Sequence, residues 1–184
     1  MAWKVLKSEE KYRNRYMWVT EDDVVTDLGD HITYGIVHKE PFSIIIPWDG
    51  EKTLLVGQYR YAVDFFSWEF PMGHSEPSHS NLEETAQREL EEETGLSAAY
   101  IQKIGTFYLG SGHHTQKGYV FVTTQHTQGD PNREPAEKDM QLKWVTPYEL
   151  SSLIENGTIQ DGPTITSFKF FELYQASNAK KSPI

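Results

Sequence analysis

The run Arg-Glu-Leu-Glu-Glu-Glu-Thr-Gly-Leu at residues 88–96 constrains this chain more than any other stretch. Like charges one turn apart oppose helix formation, yet the run sits between two helix signals. Ser80 or Asn81 offers an N-cap, with Glu83 or Glu84 at the capping-box position, and Gly95 offers a stop. A helix over 82–94 is predicted. At about 100° per residue, with Glu89 at 0°, Leu82, Ala86 and Leu90 fall at roughly 20°, 60° and 100° and define the apolar stripe. Glu93 falls inside that stripe at roughly 40°, and Glu92 on its margin at roughly 300°. Glu84 and Glu91 face away and read as solvated.

Inward carboxylates cost several kcal/mol unless they are paired or coordinated. One arginine, Arg88, cannot neutralise Glu89, Glu92 and Glu93 together. Hard divalent cations take oxygen ligands and would do so. The helix reads as one wall of a metal site.

Around it the pattern alternates strands and helices. "HITYGIVHKE" and "FSIIIPW" read as strands, and Asp49-Gly50 signals a hairpin between "IIIPW" and "LLVGQYRY". "SWEFPMG" reads as a short strand ending in Pro71 and Gly73. "IQKIGTFYLGSG", "GYVFVTTQH" and "QLKWVT" are further strands. Pro147 opens a short helix through about Ile154, and Thr164–Ala176 forms a closing helix with an aromatic face. A mixed sheet flanked by helices follows, α/β or α+β in class.

At 184 residues, with 38% apolar residues, one folded domain is expected. The net charge of −10 and the lack of a basic stripe argue against nucleic acid or a membrane surface as partner. No cysteine is present, which excludes disulfide and thiolate chemistry. Neither a signal-type h-region nor a membrane-length apolar run is visible, so the cytoplasm is the expected location.

The run at 88–96 resembles the core of the Nudix box, Gly-x5-Glu-x7-Arg-Glu-U-x-Glu-Glu-x-Gly-U, with U a bulky aliphatic. Arg88, Glu89, Leu90, Glu92, Glu93, Gly95 and Leu96 match it. Gly73, in "WEFPMG", would be the box glycine. The front half departs: the spacing from Gly73 to Arg88 is one residue too long, and the first box glutamate falls on His79 or Ser80. Glu76 is its shifted candidate.

The resemblance spans about residues 40 to 172 and implies a Nudix α-β-α sandwich around a mixed sheet, with an additional N-terminal antiparallel sheet. "LLVGQYRYAVDFFSWEFPMG" is similar to the ADP-ribose pyrophosphatase and nucleoside-diphosphate-sugar branch. That branch implies residues 1–40 as a dimer-forming sheet region, 41–176 as the hydrolase domain and 177–184 as a flexible tail. It also implies a homodimer in which the N-terminal sheet reaches the partner's site. Arg60 would contact the diphosphate or terminal ribose, and Tyr16 or Trp18 would stack on the base. Glu69 and Ser111 complete the expected substrate set. Ser111 stands near the place where many ADP-ribose enzymes carry a proline. His113 and His114 follow it, and adjacent side chains in an extended strand point to opposite faces, so a shared metal is disfavoured.

By the same resemblance, Glu89, Glu92, Glu93 and the Met72 carbonyl would hold two or three Mg²⁺ or Mn²⁺ ions, and Arg88 would orient the box glutamates. The reaction would be hydrolysis of a diphosphate linkage, turning ADP-ribose into AMP and ribose 5-phosphate. The general base would lie on the loop "GDPNREPAEKDM", with Glu137 the first candidate, Glu134 the second and Glu93 of the box the third. The rival readings are hydrolysis of dinucleoside polyphosphates or nucleoside triphosphates, and nucleotide sensing without cleavage.

Overall fold

The computed structural model describes residues 3–74, 81–133 and 137–180. Glu76, His79, Ser80 and Glu134 lie outside the described residues. The chain divides into two compact units, Met1–Pro41 with Tyr108–Lys117, and Phe42–Phe107 with Gly118–Ile184.

The first unit is the additional antiparallel sheet, with β1 (Lys4–Arg13), β2 (Trp18–Val25) and β3 (His31–His38) in that spatial order. Asn14 shapes the first turn by accepting from the Tyr16 and Met17 amides. Gly29 takes a left-handed φ of 88° in the second turn. Register shifts interrupt the β1–β2 pairing between Val5 and Lys7 and between Glu10 and Tyr12. Such bulges break a strict two-residue period, and β1 shows no clean polar–apolar alternation. The segment 108–117 docks along β3: Val37 donates to the His113 carbonyl at 2.8 Å and accepts from Thr115 at 3.0 Å.

The second unit holds two larger sheets. One has the order β7 (Met72–His74), β4 (Phe42–Pro47), β10 (Lys117–Thr123), β9 (Gln102–Tyr108). In it β4 runs parallel to β10 and antiparallel to β7. The other has the order β12 (Gln141–Val145), β5 (Thr53–Arg60), β6 (Phe65–Glu69). A small pair, β8 (Leu96–Ser97) with β11 (Thr127–Gln128), lies beyond the helix α1 (Leu82–Thr94).

Strand β4 explains the layering. All six of its residues are buried, so both faces need cover. Phe42, Ile44 and Ile46 point into a core shared with Val120, Val122, Leu150, Phe168 and Phe171, which includes residues of α2 (Pro147–Glu155) and α3 (Gly162–Ala179). Ile45 points the other way, into a core with Ala86 and Leu90 of α1. The mixed α/β fold therefore has helices on both sides of its sheet. Buried Ser43 is satisfied by donating to the Leu82 carbonyl at 2.7 Å, which ties the start of α1 to β4.

Three local expectations need correction. Asp49 and Gly50 do form a turn, with the Asp49 carboxylate accepting from Glu51 and Lys52. The flanking strands do not make a hairpin ladder: beyond the Trp48–Thr53 bridge, β4 and β5 diverge into different sheets. "SWEFPMG" is likewise not one strand. It splits at Phe70-Pro71 into β6 and β7, because proline lacks the N–H that a ladder needs. The closing helix starts earlier than predicted, at Gly162, with Asp161 accepting from the Thr164 amide as N-cap, and it continues through Ala179 into the expected tail. Helix α2 carries a full capping box between Thr146 and Glu149.

Leu90 is fully buried between α1 and the sheet. Leu90→Ala should lower the unfolding free energy by about 2–5 kcal/mol. Glu91→Gln on the exposed face should change it by less than about 0.5 kcal/mol. Denaturant unfolding of both variants checks the helix orientation.

Candidate active site

Helix α1 packs across β4 and β7, which brings its acids over the β7 backbone. Asn81 caps its start, accepting from the Glu83 amide and donating from its side-chain amide to Glu84. Gly95 ends it with φ 75° and an N–H bonded to the Glu91 carbonyl. Between these ends the acids distribute as the helical period predicts. Glu93 is buried, Glu89 and Glu92 are half-buried, and Glu84 and Glu91 are exposed.

The Glu89 carboxylate lies directly over Gly73. A Cβ built on Gly73 would fall 1.9 Å from Glu89 Cδ and 2.1 Å from its Oε1. Only glycine leaves that space, and Gly73 is held opposite Ser43 in the β4–β7 ladder. Arg88 forks between two acids, donating from Nη2 to Glu89 and from Nη1 to Glu92, each at 2.8 Å. The bonds are charge-assisted and fix both carboxylates.

Glu93 is 2% exposed, and its Oε2 is buried with no hydrogen-bond partner among the described residues. Burial raises its pKa well above the ordinary carboxylate range, and the neighbouring charges of Glu89 and Glu137 raise it further. Arg60 and the Met72 backbone pull it down in part. Burial also raises Glu89, to about 7, with Glu92 and Glu137 adding to the rise against the pull of Arg88. Glu137 therefore lies within electrostatic range of both box acids, on the loop ahead of β12.

Arg60, at the end of β5, makes a two-pronged ion pair with buried Glu69 of β6, with Nε at 2.8 Å from Oε1 and Nη2 on Oε2. That pairing raises the Arg60 pKa, and the charges of Asp161 and Glu93 contribute in the same direction. Burial raises Asp161, and Glu69 adds to the rise. Asp161 also caps α3, so the helix start and the ion pair share one electrostatic neighbourhood.

Among the described residues, no three His, Cys, Asp or Glu side chains are gathered tightly enough to ligate one ion as they stand. The donor set nevertheless suits a hard divalent cation. It offers carboxylate oxygens, one of them buried and unsatisfied, beside a short strand whose backbone is within reach. Clustered acids pushed toward neutrality by burial and mutual repulsion are what a cation would stabilise in charged form.

Tyr16, Trp18 and Ser111 belong to the first unit, and the acids, Met72, Arg60 and Glu69 to the second. Tyr16 is exposed, with the Arg15 guanidinium 4.4 Å from its ring centre. Trp18 is stacked on His38 at 4.9 Å with the rings nearly parallel, and Arg13 lies 4.9 Å from its ring centre. Ser111 is exposed. The His113 and His114 rings stand 6.1 Å apart at 78°. Two residues here escaped the sequence reading. Asp161 was legible in "DGPT", an N-cap acid before a first-turn proline. Arg133 had no local signal, since its partners are distant backbone carbonyls.

A mixed α/β sheet flanked by helices, with an acidic helix laid over a glycine strand, is the arrangement of a Nudix-type fold. The NUDIX domain matches residues 38–168, and the chain belongs to that family. It is an enzyme of the pyrophosphatase class, hydrolysing diphosphate linkages. The chain is similar to "ADP-ribose pyrophosphatase" of Bacillus subtilis (strain 168), 27% identical over 180 residues that cover 97% of each chain. It is also similar to "Putative 8-oxo-dGTP diphosphatase 3" of Mycobacterium tuberculosis (strain CDC 1551 / Oshkosh), 30% identical over 144 residues. That match covers 74% of this chain and 61% of the relative. A solved "ADP compounds hydrolase" shares the fold with a TM-score of 0.85, at 16% identity over 97% of this chain and 96% of that one. No described helix is long and apolar enough to cross a membrane.

Two outcomes follow from this geometry. Gly73→Ala should displace the Glu89 carboxylate and slow hydrolysis by about tenfold or more, with far-ultraviolet circular dichroism unchanged. The second concerns pH in metal-free protein. A carboxylate whose pKa is higher folded than unfolded favours the folded state only while protonated. The Glu89 contribution is thus fully present below its ordinary 4.5 and is lost as pH rises through about 7. The unfolding free energy of Glu89→Gln in EDTA, minus that of the unaltered protein, should grow from pH 5 to pH 8. A flat difference would remove the cluster's electrostatic cost.

Proposed function

We propose that this chain hydrolyses the diphosphate linkage of ADP-ribose or a related nucleoside diphosphate sugar, with Mg²⁺ or Mn²⁺ as cofactor. The observation that carries the chemistry is the buried Glu93 carboxylate, one oxygen of it unsatisfied, one helical turn from the Glu89 carboxylate that lies over Gly73. The substrate class is supported by the similarity to an ADP-ribose pyrophosphatase along nearly the whole chain. Glu89, Glu92, Glu93 and the Met72 carbonyl would hold two or three such ions. When bound, the ions neutralise the diphosphate and make an attacking water more acidic.

The chain's own groups do the rest. Glu137 takes the proton of the attacking water, with Glu134 and then Glu93 as the alternatives for that role. Arg88 keeps Glu89 and Glu92 in their ligating orientation. Arg60, pre-oriented by Glu69, faces the diphosphate or the terminal ribose, and Ser111 adds a polar contact. Tyr16 or Trp18 stacks on the base, supplied by the N-terminal sheet of a partner copy. Trp3, Leu6, Tyr12 and Ile32 of that unit are exposed apolar side chains of the kind a dimer covers. One water is consumed, and AMP and ribose 5-phosphate leave.

A nucleoside triphosphate substrate is the second reading, favoured by the resemblance to the 8-oxo-dGTP diphosphatase. Incubation with ADP-ribose, a sugar-nucleotide set, dinucleoside polyphosphates and 8-oxo-dGTP, with Mg²⁺ and chromatographic product analysis, separates the readings. ADP-ribose should be cleaved fastest, to AMP and ribose 5-phosphate. Pyrophosphate release from 8-oxo-dGTP at a higher kcat/KM would transfer the assignment. With the preferred substrate, Glu93→Gln should lose at least about a hundredfold in kcat, while Glu91→Gln stays near unaltered activity.

A further inference from the structure

The C-terminal carbonyls of a helix have no partner within it and usually turn to water. Those of α1 are gathered by one segment of the chain. The Glu92 carbonyl accepts from the Asn132 amide at 2.9 Å, and the Gly95 carbonyl from the Gly129 amide at 2.8 Å. The Thr94 carbonyl accepts from the Gln128 side-chain amide at 3.2 Å. The Glu93 carbonyl accepts from Arg133 Nε at 2.8 Å. Contact is close enough that a Cβ on Gly95 would fall 2.4 Å from the Gly129 oxygen.

Arg133 does more than close the helix. Its Nη1 donates to the Met140 carbonyl at 2.6 Å, and the Met140 amide donates to the Glu137 carbonyl at 3.0 Å. One half-buried guanidinium thus joins the backbone of Glu93 to the turn that carries Glu137. A cation at a helix C-terminus is also favoured by the helix dipole. Lysine could not reproduce this link, because it lacks the planar fork that reaches two carbonyls at once.

We propose that Arg133 is a positioning residue for the reaction, setting the Glu137 carboxylate against the acids of α1 by bridging the Glu93 and Met140 carbonyls. The inference rests on the reading of Glu137 as general base. A purely structural clasp would make the same bonds but would slow the enzyme equally whether or not Glu137 could act.

A double-mutant cycle separates the two roles. Unaltered protein, Arg133→Ala, Glu137→Gln and the double variant are compared with ADP-ribose at saturating Mg²⁺, and amide hydrogen exchange is followed without substrate. Arg133→Ala should lower kcat by about ten- to a hundredfold, the range for slight misplacement of a catalytic group, with KM changed by less than about threefold. In the Glu137→Gln background the same change should cost less than about threefold. Exchange at the Met140 amide should quicken by about tenfold or more in Arg133→Ala, with Leu90 unchanged. Arg133→Lys should recover only part of either effect. Equal losses in both backgrounds, or unaltered Met140 exchange, would overturn the role of Arg133 alone. Full activity in Glu137→Gln would instead overturn the base assignment, and the catalytic part of this inference with it. If ADP-ribose is not turned over, Met140 exchange still decides whether the link holds the turn.

Discussion

The burial of the Glu93 carboxylate is the constraint on which the rest of the arrangement depends. A charged group with an unsatisfied oxygen in the interior costs far more than one buried leucine returns. The fold places it there nonetheless, one turn from Glu89 and beneath a helix whose other inward residues, Ala86 and Leu90, are fully buried. Everything adjacent serves to make that position tenable. Gly73 gives room for the neighbouring carboxylate, Arg88 pins two acids, and Arg60 contributes a nearby positive charge while committed to Glu69. These compensations are partial, since the pKa of Glu93 stays raised. The proposed divalent cation would complete them, and the electrostatic deficit and the catalytic chemistry would then be two aspects of one site.

The sheet architecture supplies the rigidity such a site requires. Strand β4 is buried on both faces and carries β7 at its edge, so the backbone beneath the acids is fixed by a ladder and not by a loop. Functional groups on regular elements are held more closely than groups on loops. The proposed base, Glu137, is the exception: it comes from a loop, whose turn Arg133 ties to the Glu93 backbone through the Met140 carbonyl.

Helix α1 was legible in the sequence to the level of single residues, because a 3.6-residue period assigns each glutamate a direction without reference to the remainder of the chain. Its caps were legible for the same reason, with Asn81 and Gly95 acting locally. The Asp49-Gly50 turn was also found, but its consequence was not. A tight turn has the same chemistry whether the strands it joins pair or separate, and the choice was made by β10, which takes the position beside β4 from far along the chain. Strand β1 was obscured by its bulges. Arg133 was invisible because backbone carbonyls carry no residue identity.

On the proposed function, a bound cation keeps the acids of α1 charged. Titration calorimetry with Mg²⁺ near pH 6.5, in buffers of different ionisation heat, measures this directly. Binding should release protons, because Glu89, with a pKa raised to about 7, must ionise to become a ligand. Glu93→Gln should weaken that binding by about tenfold or more. Mg²⁺ binding without proton release, or with unchanged affinity in Glu93→Gln, would mean that no cation at these acids holds them in the charged form.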